Sequence, residues 1–157
     1  MGAAPRKELD AIELLMQDQR EVESLFREFE YLRSASEETG GVVELACAEL
    51  KMHDVLNTEI FCPAVLEATR EPEMEKLLAA VADDQRAIRD LIASIEQAHA
   101  DHAKRDEYFG LLAGHVERHF EQAETHLFPR TKNLTGLDLV SVAAQMKMRR
   151  SDMAAPG

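Results

Sequence analysis

Apolar residues recur at spacings of three and four through four long segments of this chain, with short connections between them. An α-helix imposes that period on a buried stripe, whereas a strand shows a period of two. The first segment, from about residue 8 to residue 31, carries Ile12, Leu15, Val22, Phe26 and Phe29. After the turn SEETGG, with Gly40 and Gly41, a second segment of about 42–68 carries Val43, Ala46, Leu50 and Ile60. Glu71-Pro72 opens a third, proline being suited to a first helical turn, with Leu78, Val81, Ile88, Leu91, Ile92 and Ile95 on its stripe. The fourth covers about 104–129 and carries Phe109, Leu112, Val116 and Leu127. A weaker amphipathic piece, LDLVSVAAQMKMRR, predicts a short fifth helix, and SDMAAPG (151–157) predicts a flexible tail.

Similar segment lengths and short loops predict an all-α fold: an antiparallel up-down four-helix bundle with a short C-terminal fifth helix, one domain over 1–150. With 157 residues the chain can build one sizeable core. Only two repeating units are visible, which argues against a solenoid. A formal charge of −12 opposes binding to nucleic acid or an anionic membrane. No apolar run approaches a membrane span, and MGAAPRKELD has no apolar core of a signal peptide. Cys47 and Cys62 fall on one helix, roughly 22 Å apart at about 1.5 Å rise per residue, too far to bridge. A reducing cytoplasm is the expected compartment.

The two halves of the chain repeat each other. The first reads DQREVESL and then MHDVLNTEIFCP; the second reads DQRAIRDL and then RHFEQAETHLFP. In each, a proline follows a histidine by ten residues, His53 to Pro63 and His119 to Pro129. Each proline should end or kink its helix. The apolar stripes also carry polar interruptions at one level. Gln19 interrupts the first, His53 and Asn57 the second, and Gln85 the third; His119, Ala123 and His126 continue the fourth. An unpaired buried polar group costs about 1–3 kcal/mol, so these side chains need each other, water or a ligand. One reading is a closed layer in which glutamine amides bridge neutral imidazoles.

On the segments DAIELLMQDQREVESLF, LKMHDVLNTEIFCPAV and HVERHFEQAETHLFPR, the chain resembles the hemerythrin-like HHE cation-binding family from about Asp10 to Arg130. The resemblance implies a bundle holding two iron ions. Each half would supply a histidine from its first helix, then a histidine and a glutamate four residues later from its second. It also implies oxygen binding, nitric oxide or oxygen sensing, iron-centre repair or peroxide handling. Carried over by position, His53 and His119 match. Gln19 and Gln85 stand where the family has histidine, and Asn57 and Ala123 where it has the bridging glutamate.

Without those carboxylates two buried metal ions would be uncompensated charge, so no standard diiron centre is expected. Glu59, Glu124, Asp18, Asp84 and Asp54 project well away from the histidine stripe and are expected on the solvated face. His115 with His119 makes an i, i+4 pair that could hold a single zinc or other metal ion, and His115, Glu59 and Glu124 are the candidate additions to a metal site at His53 and His119. Three readings follow. The chain is a metal-poor binding, sensing or regulatory module for an unknown small ligand or protein partner, more a binder than an enzyme. Alternatively it holds iron or another single metal ion through His53 and His119, in redox or iron handling. In the third, haem sits between the helices, with Gly110 and Gly114 marking either a cofactor slot or close helix packing.

Overall fold

The computed structural model describes residues 8–154. Among them the chain is all-helical, with no strand. Helix α1 spans Ala11–Ser34. Helix α2 runs over Gly40–Leu56, passes through a π-helical turn at Asn57–Phe61 and resumes as Cys62–Ala68. Helix α3 spans Pro72–Gln97. Helix α4 runs over His102–Gln122, passes through a second π-helical turn at Ala123–Leu127 and resumes as Phe128–Lys132. Helix α5 spans Leu139–Ala154. Helices α1 and α2 pack together, as do α3 and α4, and α5 lies on α1, α2 and the first π-turn.

The ends follow local chemistry. Asp10 accepts from the Glu13 N–H at 2.9 Å while Glu13 accepts from the Asp10 N–H at 3.1 Å, a reciprocal cap that satisfies two donors at the start of α1. Pro72 begins α3, and Asp101 caps α4 by accepting from the Lys104 N–H. In the α1–α2 connection the left-handed residue is Ser36, with φ 56°, and neither glycine takes that role. Gly40 is instead the first residue of α2, earlier than the periodicity predicts. A Cβ there would lie 3.0 Å from Glu38 Oε1 and 3.2 Å from Arg105 Nη1. Its absence lets Glu38 accept the Gly40 N–H at 2.8 Å and lets the buried Arg105 donate to Thr39 Oγ1 at 2.7 Å.

The prolines do not end their helices, which continue through them after a π-turn. Proline has no N–H, and its ring collides with the carbonyl four residues back. One wider turn placed just before each proline relieves that collision and lets the helix go on. The Cys62 N–H reaches the Asn57 carbonyl, and the Phe128 N–H reaches the Ala123 carbonyl. The extra residue rotates the stripe. Leu56 and Phe61 are buried, Ile60 is half-buried, and His126, expected on the stripe, is exposed.

The core divides in two. One apolar cluster holds Leu15, Leu56, Phe61, Val81 and Leu127, with Val142, Ala143 and Met146 from α5. The other holds Val22, Phe26, Leu50, Ile88, Phe109 and Val116. Between them on every long helix falls a polar position. Residues 151–154, expected in a tail, are the last turn of α5; 1–7 and 155–157 lie outside the described residues. Gly110 and Gly114 are exposed, and a Cβ on either would meet nothing within 4 Å. They therefore mark neither close packing nor a cofactor slot.

Candidate functional site

Gln19, His53, Asn57, Gln85, His119 and Ala123 are all buried, and together they form the level that separates the two apolar clusters. Sixty-six residues separate Gln19 from Gln85, His53 from His119, Asn57 from Ala123 and Pro63 from Pro129. The two π-turns begin at Asn57 and Ala123, the positions where the resemblance puts bridging glutamates.

The halves are unlike in their hydrogen bonding. In the second, the Gln85 amide nitrogen lies 3.2 Å from His119 Nε2. An amide nitrogen only donates, so Nε2 accepts and the ring proton sits on Nδ1. That nitrogen donates to Asp84 Oδ2 at 3.1 Å. In the first half neither Gln19 Oε1 nor His53 Nδ1 has a hydrogen-bond partner among the described residues. The His53 ring packs edge-on against Phe120, centroids 5.5 Å apart. Asn57 Oδ1 accepts from the Cys62 thiol at 3.4 Å. The predicted glutamine–imidazole layer thus holds for one pair and not for the other.

Both imidazoles are held neutral. Burial pushes His53 down to about 3, and neighbouring His119 pushes in the same direction. Burial also lowers His119, with the Asp84 carboxylate pulling back against it.

The surrounding acids are not simply a solvated face. Asp18 is buried, and Arg150 of α5 donates to it. Asp84 is half-exposed and bonded to His119. Both lie about 100° off the stripe, but helices flank α1 and α3 on more than one side, so an off-stripe direction still meets protein. Asp54 is clasped by Arg89 at 2.6 and 2.9 Å. Glu59 is paired with Arg149 at 3.1 Å, and Glu124 with Arg20. Neither glutamate serves the layer. His115 is exposed, one turn before His119. It lines a cleft of about 360 Å³ between α3 and α4, together with Asp84, Arg118, His119 and Ala123.

Among the described residues no group of three or more His, Cys, Asp or Glu side chains is placed to hold a metal ion. The layer does not fit a diiron centre. Its carboxylate positions hold an amide and a methyl group, and both nitrogens of His119 are already engaged. No helix among the described residues is long and apolar enough to cross a membrane. No family model matches the chain, and neither a curated protein nor a solved structure matches it.

Sequence reasoning missed Asp18, Asp84 and Arg150. The signal for the two acids was present, since the repeated tripeptide contains Asp as well as Gln.

Proposed function

We propose that this chain is a hemerythrin-like antiparallel up-down four-helix bundle, with a fifth helix added, that has lost the diiron ligands and works as a binding or regulatory module. The observation that carries this reading is the Gln85–His119–Asp84 chain of hydrogen bonds. A nitrogen that the resemblance would assign to iron is satisfied by an amide of the protein itself. Binding is favoured over catalysis because the core imidazoles are buried and neutral, with no nucleophile bonded to them. A reducing cytoplasm suits the two unpaired thiols.

The test is a restoration series with aerobic iron loading, metal counting and a visible spectrum. The unmodified protein should hold little iron. Asn57→Glu with Ala123→Glu should gain substantial iron, because those carboxylates both ligate and neutralise. Adding Gln19→His and Gln85→His should approach two irons per chain. Stoichiometric iron in the unmodified protein would defeat the proposal.

A second reading, one metal ion held at His53, is favoured by the unpartnered His53 Nδ1 and Gln19 Oε1. Metal counting on the same preparation with zinc separates it from the first. A Soret band there would point to haem.

A further inference from the structure

The cleft between α3 and α4 repeats a groove that the chain already fills. Its apolar lining includes Leu77, Val81, Ala123 and Leu127, with Asp84 at one side. Stepping back 66 residues from these positions gives Ala11, Leu15, Asn57, Phe61 and Asp18. In the first half that surface is covered by α5. Val142, Ala143 and Met146 are buried in one cluster with Ala11, Leu15 and Phe61, and Arg150 pairs with Asp18. In the second half no helix among the described residues lies over the matching surface, which remains open as the cleft.

We propose that the α3–α4 cleft is a docking groove for an amphipathic helix of a partner protein with the same chemistry as α5. Such a helix carries a stripe of small or flexible apolar side chains and, at its end, a basic residue that reaches Asp84. Charge complementarity supports this occupant. Asp84 is half-exposed, and no Lys or Arg pairs with it among the described residues. The rim sets the two grooves apart. Glu49 and Met52 of the first half are replaced by His115 and Arg118 in the second. Arg118 has no ion-pair partner among the described residues, so the partner helix should also carry an acid on its flank. Helix-in-groove recognition of this kind reads an i, i+4 apolar stripe, and Val142, Met146 and Arg150 show that spacing in α5. This inference names a partner for the binding module proposed above and rests on that reading. Peptide binding is measured separately from iron content, so the two can fail independently.

The probe is a fluorescently labelled synthetic peptide with the sequence of Leu139–Ala154, titrated with the full-length protein by anisotropy. Saturable binding is expected. It should weaken about fivefold or more when the peptide carries Arg150→Glu, because attraction to Asp84 becomes repulsion. Ala80→Glu in the protein should weaken it similarly, since Ala80 is exposed within the cleft. Ala79→Glu, exposed on the same helix but outside the cleft, should leave binding unchanged, and circular dichroism should show all variants folded. Absence of saturable binding overturns the proposal. So does binding indifferent to Ala80→Glu, because the peptide would then be invading the α1–α2 groove.

Discussion

Asp84 Oδ2 lies 3.1 Å from His119 Nδ1, on the side of the ring opposite the Gln85 amide. The carboxylate sets both the tautomer and the ring orientation, leaving Nε2 to face the core as an acceptor. In the first half Asp18 occupies the matching sequence position but is bonded to Arg150 instead, and His53 lacks such a partner. Two halves that share Asp-Gln-Arg, the histidine and the proline at the same spacing thus produce one satisfied and one unsatisfied imidazole.

That difference should appear in stability. Gln85→Leu removes the donor to His119 Nε2 and should cost about 1–2 kcal/mol in urea unfolding. Gln19→Leu removes an unpartnered carbonyl and should be near neutral or stabilising. Equal losses in the two variants would contradict the asymmetry of the layer.

The buried imidazoles make stability depend on pH in a definite direction. Their folded pKa values are lowered, His53 to about 3, from an unfolded value of about 6.5. Above about 6.5 both states are neutral. Below it the unfolded chain binds protons that the folded state refuses, so stability falls as pH drops toward about 3. The slope is at most ~1.4 kcal/mol per pH unit for each histidine. Asp18, whose carboxyl burial holds above its usual range, pulls in the opposite sense. Comparing wild type with His53→Leu at pH 7 and pH 5 isolates the histidine share. The variant should lose less stability on acidification, and an unchanged loss would remove His53 from the account.

Arg150 should anchor α5. Arg150→Ala leaves the buried Asp18 carboxylate without its cation. Breaking a fully buried pair costs about 3–5 kcal/mol, and the partial exposure of Arg150 reduces this to about 1–2 kcal/mol. Hydrogen exchange should quicken in α5 before it does in α3 or α4. Asp18→Asn combined with Arg150→Ala should recover part of the loss, since no charge is then stranded. A double variant less stable than Arg150→Ala alone would refute the pairing as the cause.

The thiols should be slow. Burial pushes Cys47 up to about 11 and Cys62 up to about 12, so little thiolate exists at neutral pH. A thiol-specific reagent at pH 7.5 should modify native protein far more slowly than urea-unfolded protein. Labelling of either cysteine at the unfolded rate would show that its site opens freely.

Helical class and the polar interruptions were legible because both are periodic. Ile12, Leu15, Val22, Phe26 and Phe29 are buried as their spacing requires, and so are Gln19, His53, Gln85 and His119. The local duplication also places Pro63 and Pro129 at equivalent points, where a helix end or kink is predicted and the structure has a π-turn just before each proline. Periodicity failed within those turns. One extra residue rotates everything after it, which left Ile60 half-buried and turned His126 outward.

By itself the sequence determined which helices form, where their stripes lie up to the π-turns, and that Gln19, His53, Asn57, Gln85, His119 and Ala123 share one buried level, since each depends on neighbours within a turn or two. Only the tertiary structure decided how that level is satisfied. Asp84 reaches His119 across 35 residues of chain, and Arg150 reaches Asp18 across 132. Helix α5 covers one groove and leaves its counterpart open, although the acid, the glutamine and the histidine recur in both halves. A periodic pattern specifies the direction of a side chain on its own helix; the partner it meets there is set by how distant helices pack.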